Sequence, residues 1–310
     1  MPFFIGVDGG GTKTEIVCCD RSGQTLLTLT GSSTNPRSLG FSQAVSNLTG
    51  LLSELLSHKE LASMECRGVC IGLAGAAMPE EQVPFRDAVE ELFSSSPFPV
   101  PLTITNDAEI ALMATLSRRN GLIAISGTGS IVYGITLAGE RYRVGGWGHL
   151  LGDEGSGYAI GLQALKTVMN SYDGLDPPTA ITPLLLDAFQ WESITELRAY
   201  IYQDHIRKSD IASFAQYCLR AAEQDDPAAL AILQQQARAL ARQSAALIAK
   251  DKQFAQEQLV AAGSIFKHSS LFFHLFQEEL HAAWPLVTIH LAQRTPAYGA
   301  AKLAIALHGE

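Results

Sequence analysis

The chain has 310 residues, of which 47% are hydrophobic and 17% are charged. This composition is typical of soluble globular proteins, and the length allows two domains with separate cores. There are 22 Lys and Arg residues against 31 Asp and Glu, so the formal net charge is −9. Without a long basic run, this charge argues against nucleic acid as a partner. No window approaches about 18 uninterrupted apolar residues, so we expect no membrane span.

The five cysteines lie at positions 18, 19, 66, 70 and 218. Their number is odd, and their spacing fits no disulfide framework. The start of the chain lacks the basic segment and apolar segment of a signal peptide. We therefore expect a reduced protein in the cytoplasm.

Three consecutive glycines, Gly9, Gly10 and Gly11, join two short apolar segments near the start of the chain. Phe3–Val7 precedes them and Glu15–Cys19 follows, and both segments have β character. Such glycines allow a tight turn and leave backbone N–H groups uncovered, which suits a bound phosphate. Because a strand follows the glycines, the pattern is neither a dinucleotide-binding motif nor a P-loop. An ordinary glycine-rich hairpin is the alternative.

The same order of strand, turn and strand recurs about 118 residues later. Leu122–Ile125 leads into the small residues Ser126–Ser130, and Ile131–Ile135 follows. Two hairpins of one design indicate a duplicated domain. If the two turns face each other across a cleft, they would bind a polyphosphate from both sides.

Between the two turns, the pattern predicts a mixed sheet with helices. A strand over Thr25–Thr30 is followed by a helix from Phe41 to about His58, a buried strand over Val69–Gly75 and a helix over Val83–Phe93.

Asp107 follows the next predicted strand, Leu102–Thr105, and precedes a helix over Glu109–Leu116. Ligands bind at the carboxyl ends of strands in open α/β sheets, so this position favours a functional carboxylate. The alternative is that Asp107 only caps the helix.

Six of the thirteen residues in Gly145–Gly157 are glycine, which predicts a loop. The side chains that this loop would present are those of Trp147, His149, Asp153 and Glu154. A loop with so many groups able to bind a polar ligand favours function. As the alternative, Glu154 and Ser156 would merely begin the helix over Tyr158–Met169.

The remaining chain is predicted to be mainly helical over 179–250. The later predicted elements are a strand over Leu259–Ala262 ending at Gly263 and Ser264, a helix over Leu271–Leu280, a strand over Val287–His290, and a last helix over Tyr298–Leu307 after Pro296.

As an ordered set, these motifs resemble those of the sugar kinase/actin/Hsp70 superfamily. Asp8–Thr12, Ser126–Ser130 and Gly263–Ser264 are similar to its two phosphate motifs and its adenosine motif. The run Gly146–Ser156 is similar to the signature of the N-acetylglucosamine kinases, in the branch that includes the BadF/BadG/BcrA/BcrD ATPases. The resemblance extends nearly from end to end.

This resemblance implies an α/β protein with two duplicated actin-like, ribonuclease H-like domains and an ATP cleft between them. The first domain would comprise 1–117, completed by the C-terminal helix at 296–310, and the second would comprise 118–295. The resemblance is also compatible with a homodimer.

The resemblance also implies site residues. ATP would be bound by Gly10, Gly11, Thr12, Gly127, Thr128, Gly129, Ala212, Gly263 and Ser264. The sugar would be bound by Asn35, Asp107, Trp147 and Asp153. Asp107 would also be the general base, and Asp8 would support Mg²⁺ through water.

The implied function is ATP-dependent phosphorylation of the primary (C6) hydroxyl of an amino sugar, with sugar and ATP as small-molecule partners. N-acetylglucosamine is the expected substrate, and glucosamine, N-acetylmuramic acid and N-acetylmannosamine are alternatives. An ATPase activator of a 2-hydroxyacyl-CoA dehydratase is a further alternative, but no cysteine lies in a glycine-flanked loop suited to an iron–sulfur cluster. An actin-like or chaperone-like module would require large insertions, and a sugar-dependent repressor would require a DNA-binding helix pair.

Overall fold

The computed structural model describes residues 1–76 and 78–309. The chain divides into two compact units, one formed by Met1–Asn120 with the C-terminal segment from Ala292, and one formed by Gly121–Leu291. Each unit has its own five-stranded sheet and its own buried core. The domain boundaries given above stay a prediction, and positions 77 and 310 within them lie outside the described residues.

The sheet of the first unit has the strand order β3-β2-β1-β4-β5. Its strands are β1 Pro2–Gly9, β2 Lys13–Asp20, β3 Thr25–Ser32, β4 Glu65–Leu73 and β5 Leu102–Asn106. The first three strands are antiparallel, whereas β1, β4 and β5 run parallel. The carboxyl ends of these three parallel strands therefore meet at one edge of the sheet.

The helices of the first unit are α1 Pro36–Leu39, α2 Phe41–Leu56, α3 Pro79–Leu92, α4 Asp107–Leu116 and the C-terminal helix Pro296–His308, with a 3₁₀ helix at Lys59–Leu61. The helix predicted over Val83–Phe93 begins earlier, because Pro79 occupies the first turn, where its missing N–H needs no partner.

The C-terminal helix packs against β1 and α4 at very short range. A Cβ atom at Gly6 would overlap with the backbone nitrogen of Ala301, and one at Gly299 would overlap with the backbone oxygen of Ile110. Only glycine permits these approaches, so both contacts depend on residues without a side chain. This helix is thereby fixed to the central strand of the first sheet.

The sheet of the second unit has the order β10-β9-β6-β7-β8. Its strands are β6 Gly121–Ser126, β7 Ser130–Ile135, β8 Arg141–Gly145, β9 Gln258–Ala262 and β10 Thr288–Leu291. The first three are antiparallel, and β6, β9 and β10 run parallel. This is the topology of the first sheet repeated, and the predicted α/β fold is confirmed.

The helices of the second unit are α5 Gly157–Tyr172, α6 Ile181–Phe189, α7 Glu196–Ile201, α8 Lys208–Ser213, α9 Ala215–Ala222, α10 Pro227–Ile248, α11 Ser264–His268 and α12 Ser270–Ala283, with a 3₁₀ helix at Lys252–Gln256. The longest helix, α10, places Leu233, Ala237 and Leu240 in the core of this unit. Its first turn is capped by Asp226, which accepts a hydrogen bond from the Ala229 N–H.

Across the described ranges 1–76 and 78–309, no helix combines the length and hydropathy that a membrane crossing requires. All five cysteines are reduced and buried. Burial raises the pKa of the Cys18, Cys66, Cys70 and Cys218 thiols to about 12. These thiols therefore stay protonated at neutral pH.

Candidate active site

The carboxyl edge of the first sheet brings together two of the predicted site carboxylates. Gly9 at the end of β1 lies opposite Leu73 of β4, and Leu73 lies opposite Asn106 of β5. Asp8 is the next-to-last residue of β1, and Asp107 directly follows β5. Parallel pairing thus places both carboxylates at the edge where open α/β sheets bind ligands.

Asp107 is the first residue of α4, and it does not cap that helix. The cap is Asn106, whose Oδ1 accepts a hydrogen bond from the Glu109 N–H at 2.8 Å. Asp107 Oδ1 accepts a hydrogen bond from the Ala108 N–H at 3.0 Å. The alternative interpretation of Asp107 as a helix cap is therefore wrong, and its half-buried carboxylate remains available to a ligand.

Both of these carboxylates have a raised pKa. Burial raises the pKa of Asp107 above its usual value, against the opposing effect of the Ala108 N–H. Burial and, next, the charge of Asp107 raise the pKa of Asp8 to about 7, while Lys13 acts in the opposite direction. A site that holds two such groups favours either a proton or a cation.

The chemistry of these carboxylates fits Mg²⁺, which prefers oxygen ligands and usually takes one or two carboxylates with water and phosphate oxygens. Among the residues that the structure describes, no group of three or more His, Cys, Asp or Glu side chains could hold a metal alone. A cation at Asp8 would therefore need water or a phosphate as additional ligands.

The turn between β1 and β2 leaves two backbone N–H groups for a ligand. The Gly10 N–H donates to the Lys13 carbonyl at 3.1 Å, and the Gly10 carbonyl accepts from Ser33 Oγ at 3.0 Å. The N–H groups of Gly11 and Thr12 have no acceptor within the described part of the chain. Both residues are exposed, so their N–H groups can bind an anion.

Asn35 lies beside this first turn. Its Oδ1 caps α1 by accepting from the Arg37 N–H at 2.8 Å. Its Nδ2 lies 3.6 Å from the position of a Cβ at Gly11, and residues 1–76 and 78–309 provide no acceptor for this amide. The structure thus brings Asn35, Gly10, Gly11 and Thr12 together, with one side-chain donor free.

The turn between β6 and β7 repeats this design. The Gly127 N–H donates to the Gly129 carbonyl at 2.9 Å, while the Gly127 carbonyl accepts from the Gly157 N–H at 2.7 Å. The N–H groups of Thr128 and Gly129 have no acceptor among the residues described. Each turn therefore uses the N–H of its first predicted phosphate-binding glycine internally and leaves the next two available.

Asp153 is packed against this second turn. The residue is almost fully buried, at 3% exposure, and its backbone has a left-handed φ of 67°. Oδ1 accepts from the Ser130 N–H at 3.2 Å, and Oδ2 accepts from Lys208 Nζ at 2.5 Å. Each carboxylate oxygen can accept a second bond, so the predicted contact with sugar hydroxyls stays a prediction.

Lys208 is a residue that the sequence analysis did not identify. It follows Arg207 in a stretch predicted to be mainly helical, 55 positions from Asp153. No motif surrounds it, so its position could be found only from the fold.

The other side chains of the glycine-rich loop mostly hold the loop in place. Trp147 is 64% exposed, and the Arg143 guanidinium lies 4.3 Å from the centroid of its ring. Glu154 Oε2 accepts from Gln243 Nε2 at 3.1 Å. Ser156 caps α5 by accepting from the Ala159 N–H, so the helix-start interpretation of Ser156 is confirmed.

The predicted adenosine-binding residues lie next to the second turn. Gly263 has a φ of 103°, and a Cβ at this position would overlap with the Ser126 carbonyl. Ser264, which begins α11, and Ala212, near the end of α8, line one cavity of about 410 Å³. This volume lies within the usual range for small-molecule sites, roughly 300–1,000 Å³.

Comparisons with known proteins find relatives that match nearly the whole chain. The chain is 33% identical over 305 residues to the N-acetylmuramic acid/N-acetylglucosamine kinase of Clostridium acetobutylicum, and the match covers 98% of each chain. It is 29% identical over 313 residues to the N-acetyl-D-glucosamine kinase of Dictyostelium discoideum, with 97% of each chain covered.

A ROK family glucokinase from Streptomyces griseus, solved in complex with glucose and AMPPNP, matches with a TM-score of 0.64 and 19% identity. The match covers 97% of this chain and 99% of that chain. It shows a shared fold and confirms the predicted fold class of two actin-like α/β domains. An ATP cleft between them stays a prediction.

The profile of the BadF/BadG/BcrA/BcrD ATPase family matches residues 5–304, almost the whole chain. This match confirms the family that the glycine-rich turns and the Gly146–Ser156 run indicate. The chain belongs to the BadF/BadG/BcrA/BcrD ATPase family.

Proposed function

We propose that the chain is an ATP-dependent phosphotransferase that acts on the primary (C6) hydroxyl of an amino sugar, N-acetylglucosamine. The observation that carries this proposal is full-length similarity to two kinases, both of which are named for N-acetylglucosamine. One of them is also named for N-acetylmuramic acid. N-acetylmuramic acid is therefore an alternative substrate, and glucosamine stays the second alternative that the sequence resemblance implies.

The use of ATP is supported by the family, which is an ATPase family, and by the arrangement of the second unit. Gly263 connects the cavity lined by Ala212 and Ser264 to the turn whose Thr128 and Gly129 N–H groups have no acceptor in the described part of the chain. An adenosine in the cavity would thus extend its phosphates toward that turn. In the first unit, the N–H groups of Gly11 and Thr12 would supply the corresponding contacts, and Gly10 would form the turn that holds them.

Asp107 would act as the general base. Phosphoryl transfer needs mainly positioning and charge stabilisation, so the sugar hydroxyl would give up its proton late, to a carboxylate already hydrogen-bonded to it. The Ala108 N–H holds Asp107 Oδ1, which orients the carboxylate and leaves Oδ2 for the hydroxyl. Burial raises the pKa of Asp107, which makes it a stronger base than an exposed aspartate.

Mg²⁺, when bound, would neutralise charge on the phosphate oxygens. Asp8 would hold the ion through water, since Mg²⁺ usually keeps part of its hydration shell. Burial and, next, the charge of Asp107 raise the pKa of Asp8 to about 7, so a nearby cation would stabilise its ionised form, which supports this role.

The sugar ring would be held by Asn35, Trp147 and Asp153. Asn35 contributes the free Nδ2 donor, Asp153 contributes acceptor capacity for hydroxyl groups, and the exposed Trp147 contributes an apolar ring face. We further propose a cytoplasmic location, since ATP is the phosphate donor and the cysteines are reduced. A homodimer is proposed and can be tested by sedimentation.

An ATPase activator of a 2-hydroxyacyl-CoA dehydratase is compatible with the family description. That function requires thiolates to hold an iron–sulfur cluster. Here the cysteines are buried, and burial raises the pKa of Cys66 and Cys70 to about 12. This observation weighs against the alternative.

The test is a coupled assay of ADP release with a panel of free amino sugars, followed by phosphorus NMR of the product. We expect N-acetylglucosamine to give the highest kcat/KM and a C6 phosphate ester. N-acetylmuramic acid, glucosamine and N-acetylmannosamine complete the panel, and Asp107→Asn is the negative control. ADP release that does not depend on any sugar would contradict the proposal.

A further inference from the structure

Helix α8 carries one residue beside the proposed adenosine cavity, Ala212, and one beside the proposed phosphate turn, Lys208. Ala212 lines the cavity of about 410 Å³, and Lys208 lies one helical turn earlier. Lys208 Nζ lies so close to the second turn that a Cβ at Gly129 would be 2.8 Å from it. The ammonium group thus lies beside Gly129, in the turn where the N–H groups of Thr128 and Gly129 have no acceptor among the described residues.

The buried carboxylate of Asp153 fixes the position of this ammonium group. The distance between Lys208 Nζ and Asp153 Oδ2 is 2.5 Å, and the Ser130 N–H holds the other carboxylate oxygen. The Lys208 side chain is 31% exposed, whereas that of Asp153 is 4% exposed. Lys208 is therefore bound to the buried Asp153, while part of its side chain remains accessible to solvent.

The positive charge of Lys208 can attract an anionic ligand as well as neutralise Asp153. A nucleotide with two or three phosphates carries several negative charges, and the whole chain has a formal charge of −9. Backbone N–H groups supply only partial charges, so binding such an anion benefits from a full positive charge at the turn. An ammonium group has three N–H donors, and Asp153 occupies one of them.

We propose that Lys208 binds the phosphates of the nucleotide at the turn Gly127–Gly129, with Asp153 as the counter-ion that positions its ammonium group. The proposal rests on the ATP dependence proposed above and adds to it a charged phosphate ligand. The competing interpretation is that Lys208 serves only to neutralise the buried Asp153.

The test compares the dissociation constants of ADP and adenosine, measured by titration calorimetry without sugar. Lys208→Met should weaken ADP binding by roughly tenfold to a hundredfold, since a charged hydrogen bond is lost. Adenosine has no phosphate, so its affinity should change less than about twofold. Lys208→Arg keeps the charge and should retain most of the ADP affinity. Lys166→Met, which removes an exposed lysine of α5, is the matched control and should change neither constant.

Two results would overturn the proposal. One is an equal loss of ADP and adenosine binding, which would assign Lys208 to the shape of the pocket. The other is unchanged ADP binding with a raised KM for the sugar, which would assign Lys208 to the support of Asp153 alone. If Lys208→Met does not fold, Lys208→Gln can still donate to Asp153 and gives the same comparison.

The outcome is separable from that of the proposed function. If Lys208→Met selectively loses ADP binding while the wild type phosphorylates no sugar, the role of Lys208 is supported and the proposed sugar kinase activity is refuted. If the wild type phosphorylates the sugar while Lys208→Met keeps full ADP affinity, the sugar kinase activity is supported and the role of Lys208 is refuted.

Discussion

Replacing Asp8 with asparagine should stabilise the folded protein at neutral pH when Mg²⁺ and nucleotide are absent. In the wild type, burial first and the charge of Asp107 second raise the pKa of Asp8 from 3.8 to about 7. An ionised Asp8 therefore destabilises the fold, and an asparagine of the same shape removes the charge. The substitution should raise stability while it impairs function.

The size of the effect follows from the pKa values. The pKa difference between 3.8 and 7 is roughly three units, and each unit corresponds to about 1.4 kcal/mol. The ceiling is therefore about 4 kcal/mol once Asp8 is fully ionised. Because the side chain is half-buried and water screens part of the repulsion, we expect about 1–4 kcal/mol.

Because the pKa of Asp8 is raised in the folded state, the direction in which stability changes with pH is also determined. Below the unfolded-state pKa of 3.8, Asp8 is protonated in both states and imposes no penalty. As the pH rises toward 7, the unfolded chain releases this proton first, so the contribution of Asp8 to stability falls. The free energies of unfolding of wild type and Asp8→Asn should thus be similar near about pH 4 and diverge up to about pH 8.

The assay is urea unfolding at these two pH values, followed by circular dichroism. Asp87→Asn, which changes an exposed carboxylate on α3, is the control and should show no such divergence. Added Mg²⁺ should stabilise the wild type more than Asp8→Asn. A variant that is less stable than the wild type near about pH 8 would refute this reasoning.

Three further substitutions test the remaining site. Asp107→Asn should lower kcat by about 100-fold or more with little change in the dissociation constant of ATP, and near-normal kcat would exclude Asp107 as the base. Asn35→Asp keeps the oxygen that caps α1 and loses the Nδ2 donor, so the KM for the sugar should rise about tenfold at unchanged melting temperature. Gly263→Ala forces a side chain into a φ of 103° and against the Ser126 carbonyl. It should therefore abolish ADP binding in calorimetry, and wild-type affinity would contradict the assigned adenosine contact.

The sequence was sufficient for features that depend on neighbours along the chain. The strand–glycine–strand order predicts both turns, and the repetition of this order predicts the two similar sheets. The sequence also predicted that Asp107 follows a strand, but it did not predict that Asp107 is the first residue of α4. That place depends on whether Asn106 or Asp107 turns its side chain onto the helix N–H groups.

Features that join distant segments could not be predicted. The contact between Lys208 and Asp153 links positions 55 residues apart. Nothing in the sequence around either residue indicates that the two are paired. Likewise, the sequence shows which glycines form the turns but not which N–H groups the turns use internally. The stretch 179–250 contains five helices. One of them ends just before Gln190, which has a left-handed φ although no glycine or proline stands there to predict a helix end.

The packing of the C-terminal helix on β1 has a consequence for how the chain folds during synthesis. Phe4, Cys70 and Ile110 share a buried cluster with Leu303 and Ala304 of that helix. The ribosome makes β1 before Gly121–Leu291 and this helix after it, and Gly121–Leu291 is continuous and complete before the helix emerges. We therefore expect the second unit to fold on the ribosome, while the first unit keeps apolar surface exposed until this helix has been made.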